Sequence, residues 1–288
     1  SGFVGQAMTR HLMAQGHGLV PFDCRAVVEA VPNPIVFHDR FMDLADHAST
    51  ASLLRSAERA DVVLHLAGNA DVGAHAKPEV QVNDIVAATR VLTVCARLEK
   101  PIVVASSAYA ITRNTPYGWT KGTIEDIALA FRSRGHQVGI VRLFNLYGPG
   151  QEAAVTYRGT VVTDLIRRFA SGDPQTVAGG NQMRDFIYID DAVKVIEEAL
   201  LVPLMSVTEV GSGYWTSIWD LAQVIAKTLG RQDRVLKEIE GNTEPVTLPY
   251  NRPARLIPGW SATFQYTSLE AGIAKTVEHM LRVAKVAP

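Results

Sequence analysis

Pro101-Ile102-Val103-Val104-Ala105-Ser106-Ser107, followed shortly by Tyr117-Gly118-Trp119-Thr120-Lys121, is the stretch on which the fold turns. Its first half is a continuous, β-branched apolar run, which reads as a strand buried on both faces. Its second half opens a pattern of apolar residues at helical spacing that runs from Tyr117 to Arg132. The same alternation extends in both directions. Gly18-Leu19-Val20-Pro21-Phe22, Asp61-Val62-Val63-Leu64-His65-Leu66-Ala67 and Gln137-Val138-Gly139-Ile140-Val141-Arg142-Leu143 read as further strands, and Val82 to Leu98 reads as another helix. Apolar strands alternating with helices predict an α/β chain with a doubly wound parallel sheet covered on both faces. After Pro149 the rhythm changes, with Gly, Pro and Asn frequent around Gly172 to Gln182 and Glu240 to Gly259. That change predicts a second, smaller and more irregular region. No internal repeat or low-complexity tract interrupts the chain.

Tyr117 and Lys121, four apart, lie one turn from each other on one face of the predicted helix. An ammonium held beside a phenol favours the phenolate and lowers a pKa that is about 10 in water. Such a phenol serves as a general acid or base near neutral pH. Ser107, ten residues before the tyrosine, ends the strand and can hold the substrate oxygen that gives up its proton. The spacing alone describes a half-buried Tyr beside a solvated Lys equally well, so the rest of the chain has to decide.

At 288 residues the chain can bury a large core, as one large domain or two smaller ones. Hydrophobic residues at 47% and charged residues at 20% place it among ordinary soluble globular proteins. A net charge of −1 removes the global electrostatic case for nucleic acid or an anionic membrane as partner. No apolar run reaches the roughly 20 residues that span a bilayer, and no signal peptide is legible, though the sequence starts at Ser1 without a Met; the default expectation is a reducing, cytoplasmic location. Cys24 and Cys95 give neither a disulfide framework nor a metal-ligand spacing, so no metal is expected.

The nucleotide-binding end is read from Ser1-Gly2-Phe3-Val4-Gly5, followed by a helical pattern through Met8, Leu12 and Met13. Two glycines three apart at a helix start match the last two of a Gly-rich phosphate turn. A plain loop-to-helix junction fits as well, because the strand and first glycine of that motif are not in the sequence. Asp23 follows the second strand about 20 residues on, where a carboxylate can bind a ribose 2′-hydroxyl and repel a 2′-phosphate. That favours NAD over NADP, with Arg25 nearby pulling the other way; a turn Asp is the plainer alternative. Asp43-Leu44 before the third strand can lie beside an adenine or cap a helix.

Taken in order, these pieces resemble the extended short-chain dehydrogenase/reductase family, in its nucleotide-sugar epimerase/dehydratase group. The matching residues are Gly2-Phe3-Val4-Gly5, Asp23, His65-Leu66-Ala67-Gly68, Asn83, Ser106-Ser107 and Tyr117 to Lys121. They continue with Arg142 to Gly150, Arg184-Asp185-Phe186-Ile187-Tyr188-Ile189-Asp190-Asp191 and Gly211-Ser212-Gly213. The resemblance implies a Rossmann-type NAD-binding domain over 1-149 and 184-209, and a substrate-binding domain over 150-183 and 210-288. It implies NAD held by Gly2, Phe3, Val4, Gly5, Asp23, Asp43, Leu44, Leu66, Ala67, Gly68, Tyr117 and Lys121. Tyr117 is then the base, Lys121 its partner and a ligand of the nicotinamide ribose, and Ser107 the group on the reacting sugar oxygen. Asn145, Arg184 and Arg252 are then contacts to a nucleoside-diphosphate sugar, Arg184 through its charged fork. The plainer roles are a turn cap for Asn145 and a salt bridge to Asp185 or Asp190 for Arg184. Relatives of this kind often form homodimers through two helices per subunit, here Val82 to Leu98 and Tyr117 to Arg132.

The chain also departs from the pattern. The loop between Ser107 and Tyr117 is short, with Ala108-Tyr109-Ala110 where the family carries Val-Tyr-Gly. Arg252 sits in Asn251-Arg252-Pro253-Ala254, without the family's Gly-Asp, which puts its phosphate role in doubt. The Asp-Glu pair that 4,6-dehydratases place after their catalytic Ser or Thr is missing. The pattern therefore points to epimerisation at C4 of a nucleoside-diphosphate sugar, with a UDP-sugar expected. A decarboxylase, dehydratase, reductase or dehydrogenase of the same group is the alternative. A non-catalytic NAD sensor fits less well, because such proteins typically lose the Tyr-Lys pair.

Overall fold

The computed structural model describes residues 2–20, 43–46, 48, 50–152, 160–171, 175–201, 207–238, 250, 252–255 and 264–286. It divides into two compact units, Ser1–Leu143 with Val193–Thr208, and Phe144–Ala192 with Glu209–Pro288. The first break thus falls at Phe144, a few residues before the change of rhythm read after Pro149. The strand expected at Gly18 to Phe22 lies partly outside the described residues, and Gly18 to Val20 carry no strand.

The first unit runs α1 (Phe3–Ala14), α2 (Thr50–Glu58), β1 (Val63–His65), α3 (Pro78–Arg97), β2 (Ile102–Ser107), α4 (Pro116–Arg132) and β3 (Val138–Leu143). β2 lies between β1 and β3, and both pairings are parallel, with Val63 opposite Ile102 and Ile102 opposite Val138. A strand beginning at Val207 continues the sheet beyond β3. This is the parallel α/β arrangement that the apolar runs predicted.

Local chemistry sets the helix starts. Pro78 and Pro116 occupy first-turn positions, where the missing N–H costs nothing. Thr115 caps α4 by accepting from the Gly118 amide at 3.0 Å. The buried face of α3, through Ala88, Val91, Leu92 and Cys95, packs with Ile102 and Val104 of β2, Val138 and Ile140 of β3, and Ile124 and Ala128 of α4. Each large side chain buried there stabilises the fold by about 1.5–3 kcal/mol. Cys95 belongs to this core, and burial pushes its thiol up to about 12, so it stays protonated. Glu125 of α4, also buried, accepts from Ser106 Oγ at 2.6 Å and from Arg142 Nε and Nη2 at 2.8 and 2.7 Å. One carboxylate thus ties β2, α4 and β3 together.

The second unit holds β4 (Asn145–Tyr147), α5 (Val161–Ala170), β5 (Gln175–Ala178), β6 (Met183–Arg184) and β7 (Phe186–Tyr188). It continues with α6 (Ile189–Leu201), whose residues from Val193 count in the first unit, then β8 (Val207–Val210), whose Val207 and Thr208 also count there, and β9 (Thr216–Ser217). α7 (Ile218–Leu229), β10 (Val235–Glu238) and α8 (Leu269–Val286) complete it. β8 belongs to the four-stranded sheet, and the other strands pair in twos: β4 with β7 and β5 with β10, both parallel, and β6 with β9, antiparallel. α7 ends on Gly230 in the left-handed region (φ 65°), where only glycine sits without strain. Gly272 of α8 lies so close to the Tyr147 hydroxyl and the Tyr188 ring that a Cβ there would overlap them. Among the described residues, no helix is long and apolar enough to cross a membrane.

Candidate active site

The carboxyl ends of parallel strands are where open α/β sheets bind ligands. In the first unit those ends carry Leu66, Ala67 and Gly68 after β1, and Ser107 at the end of β2. Leu66 is half-buried, while Ala67 and Gly68 are exposed. Gly68 has φ 146°, and a Cβ there would lie 2.9 Å from Lys121 Nζ and 3.1 Å from Asp84 Oδ2. The glycine is required both by its backbone and by what lies beneath it.

Beneath it is a charged cluster. Lys121 of α4 is buried, and its Nζ donates to Asp84 Oδ2 of α3 at 3.1 Å. The same ammonium lies 5.6 Å from the centroid of the Tyr117 ring. Asp84 also accepts from the Asn69 amide at 3.0 and 3.2 Å, and its Oδ2 lies 3.3 Å from His75 Nε2. His75 is fully buried, with its Nδ1 2.8 Å from the Asp71 carbonyl oxygen, to which it donates. Burial by itself pushes the Asp84 carboxyl up. The His75 hydrogen bond, the Lys121 charge and the Asn69 amide outweigh it and hold the group below the usual carboxylate range.

Tyr117 packs between two rings. The His75 ring meets it edge-on at 4.8 Å, and Tyr109 does the same at 5.4 Å. Tyr109 lies in the short 3₁₀ turn Ala108–Ile111, and its amide donates to Ser107 Oγ at 3.3 Å. That turn rests on the start of α4, where a Cβ at Gly118 would come within 2.5 Å of the Tyr109 carbonyl oxygen. Tyr109 therefore connects Ser107 to Tyr117, and Ser107, Tyr117 and Lys121 share one cluster. Asp84, His75 and Tyr109 were not among the expected site residues. Asp84 was readable as an acid on the otherwise apolar stripe Ala88-Val91-Cys95, whereas the neighbouring Asn83 faces solvent.

His65, at the end of β1, is also buried, which together with the nearby Lys121 charge lowers its pKa to about 4, against a small opposing pull from Asp84. A base whose folded pKa lies below its unfolded value of 6.5 contributes stability above pH 6.5, and that stability is lost as pH falls toward 4. The expected loss is about 3 kcal/mol across that window. Urea midpoints measured from pH 7 to pH 4 check it. His65→Leu is expected to flatten the dependence, and an unchanged slope in that variant would remove His65 as its source.

At the nucleotide end, Gly2 caps α1 in an extended conformation, with no side-chain cap and no acid in the first turn. Among the described residues, nothing lies within 4 Å of where a Cβ on Gly2 or Gly5 would sit. Phe3 and Val4 form the first turn behind them. An uncapped, glycine-flanked helix start suits a pyrophosphate, so these residues fit a dinucleotide. Asp43 accepts from the Ala45 amide at 2.8 Å in a local turn, and the Leu44 carbonyl accepts from Arg90 of α3. Asp23 lies outside the described residues.

In the second unit, Asn145 Nδ2 donates to the Asp185 carbonyl at 3.1 Å and to the Tyr250 hydroxyl. Arg184 is half-buried on β6, with Nη1 donating to the Met183 carbonyl at 2.8 Å. The Arg252 fork grips Glu209 through Nη1 at 2.6 Å and Nη2 at 2.5 Å. Asp185, fully buried, holds backbone instead of pairing with Arg184: it accepts from the amides of Ser212, Gly213 and Ala254.

Residues 1–204 match the NAD dependent epimerase/dehydratase family, and the chain belongs to that family. It is 31% identical over 215 residues to an uncharacterized UDP-glucose epimerase, YtcB, of Bacillus subtilis (strain 168), covering 67% of this chain and 66% of that one. It is 25% identical over 256 residues to the UDP-N-acetyl-alpha-D-glucosaminuronate decarboxylase of Bacillus cytotoxicus, covering 78% and 77%. The solved structure of MoeE5 in complex with UDP-glucuronic acid and NAD superposes with a TM-score of 0.79 at 26% identity, covering 98% of this chain and 97% of that one. The matches to two further curated relatives, a dTDP-L-rhamnose 4-epimerase and a GDP-L-fucose synthase, span only 32% and 50% of those proteins' lengths.

Proposed function

We propose that the chain is an NAD-dependent epimerase that inverts C4 of a nucleoside-diphosphate sugar, with a UDP-sugar as substrate. The observation that carries this reading is the cluster of Ser107, Tyr117 and Lys121 beside the carboxyl ends of β1 and β2, with the exposed Gly68 packed closely over the lysine. In this mechanism Tyr117 takes the C4 hydroxyl proton while Ser107 Oγ holds the same oxygen. Lys121 provides the adjoining positive charge and a hydrogen bond to the nicotinamide ribose. Bound NAD supplies hydride acceptance and, once reduced, hydride return. The 4-keto sugar turns over before Tyr117 gives its proton back to the other epimer.

The first unit is the proposed cofactor domain, and Asn145 and Arg184 of the second are the proposed contacts to the sugar nucleotide. Arg252 is the weakest of that set, since Glu209 already takes its fork. Ala108 and Tyr109 stand where a dehydratase carries its acidic pair, which speaks against loss of water. Val82 of α3 and Trp119 of α4, each about half exposed, offer the surface for the expected homodimer.

The test is a panel of UDP-, GDP- and dTDP-sugars given to the purified full-length protein with NAD, with product stereochemistry read by NMR. Interconversion of C4 epimers without net NADH is the expected result. Release of carbon dioxide or build-up of NADH would overturn it in favour of decarboxylation or simple oxidation.

A further inference from the structure

In the proposed mechanism Lys121 supplies the positive charge beside Tyr117, yet its ammonium is held by a carboxylate. Lys121 and Asp84 are each more than nine-tenths buried, and their charged atoms are 3.1 Å apart. A carboxylate at that distance cancels much of the field that the ammonium puts on a neighbour, and burial weakens the screening that water would add. Asp84 is itself fixed from several sides. The Asn69 amide bonds it from the loop after β1, His75 faces it from the turn Gly73–Ala76, and Lys121 holds it from α4. His65 of β1 interacts electrostatically with both Asp84 and Lys121. Among the described residues, the titratable groups around Lys121 are therefore Asp84, His65 and Tyr117, and Tyr117 is faced in turn by Tyr109 and by His75, which also touches the carboxylate.

We propose that Asp84 is a positioning residue that sets the acid–base balance of Tyr117 by pairing with Lys121 and moderating its charge, with His75 locking the carboxylate in place. The proposal rests on Tyr117 being the acid–base group. It has a definite sign. Without the Asp84 charge the Lys121 ammonium acts on the phenol unopposed, so the phenolate forms at lower pH. An Asp84 with a purely structural role would alter stability and leave that titration where it was.

The experiment is a ¹³Cζ-tyrosine NMR titration of the full-length protein saturated with NAD, with the Tyr117 signal identified by its loss in Tyr117→Phe. Asp84→Asn is expected to lower the Tyr117 midpoint by about one pH unit, with the acidic limb of the pH–rate profile moving the same way. Asp84→Ser, also uncharged and smaller, is expected to do the same and decides the matter if the Asn variant does not fold. Asp84→Glu keeps the charge and is expected to stay close to the wild-type midpoint. A midpoint that stays or rises in a folded, uncharged variant overturns the proposal. The titration is read without turnover, so failure of the epimerase assignment would show separately, in the product assay.

Discussion

Replacing Tyr117 with Phe is expected to lower kcat about a thousandfold while leaving the fold intact and NAD bound through the rest of its proposed contacts. The argument starts from what the substitution removes. Phe keeps the ring, so the edge-on contacts with His75 at 4.8 Å and Tyr109 at 5.4 Å survive. The ammonium of Lys121 keeps its ring neighbour and its bond to Asp84. Only the phenolic oxygen goes, the group proposed to take and return the sugar proton. Positioned general acid–base groups contribute roughly 10²–10⁴ in rate, and a thousandfold corresponds to about 4 kcal/mol of barrier. Turnover of the best sugar in the panel measures the loss, and quenching of protein fluorescence by NAD serves as the control. Turnover within tenfold of wild type, with NAD still bound, would remove Tyr117 from the role.

How far the sequence reached depends on how local each signal is. β1, β2 and β3 announce themselves because each is a continuous apolar run, the pattern of a strand covered on both faces. β4, β6, β7 and β9 are only two or three residues long and, unlike the equally short β1 with its flanking run from Val62 to Ala67, stand among turn-forming or charged residues, so the second unit read merely as irregular. Tyr117 and Lys121 were legible because a helix converts a spacing of four into proximity. Asp84 reaches Lys121 across 37 positions, and no local rule marks such a pair. Its neighbour Asn83 matched the family pattern, yet the helix turns Asn83 outward and Asp84 inward. His75 sits in a short 3₁₀ turn fixed by Asp71 and Asp84, where there is no periodicity to read. Gly211-Ser212-Gly213 was legible as a motif, but its purpose was not. Gly211 passes so close to Asp185 that a Cβ would lie 2.8 Å from Oδ2, and the next two amides point at that carboxylate.

That carboxylate is where the second large effect is expected: Asp185→Ala should destabilise the second unit by about 4 kcal/mol. Asp185 Oδ1 accepts from the Ser212 amide and hydroxyl, both at 2.7 Å, and Oδ2 accepts from Gly213 at 3.0 Å and Ala254 at 2.9 Å. Its backbone takes part as well, donating to Tyr250 Oη at 3.1 Å and accepting from Asn145. Burial pushes the carboxyl up despite these four donors, so part of their contribution is offset by desolvation of the charge. Truncation to Ala strands three backbone donors, each costing about 1–3 kcal/mol when buried without a partner. Relief of the buried charge returns some of that sum, which leaves the net near 4 kcal/mol. Asp185→Asn keeps one acceptor for Ser212 but turns an NH₂ toward Gly213 and Ala254, so it should be damaging too, though less so. Urea unfolding read by tryptophan fluorescence checks this, since Trp215 stacks on Tyr250 of the same network at 5.6 Å. Hydrogen exchange should lose protection first at Ser212, Gly213 and Ala254. A midpoint change no larger than that of an ordinary surface substitution, about 0.5 kcal/mol or less, would mean that the three segments hold together without the carboxylate.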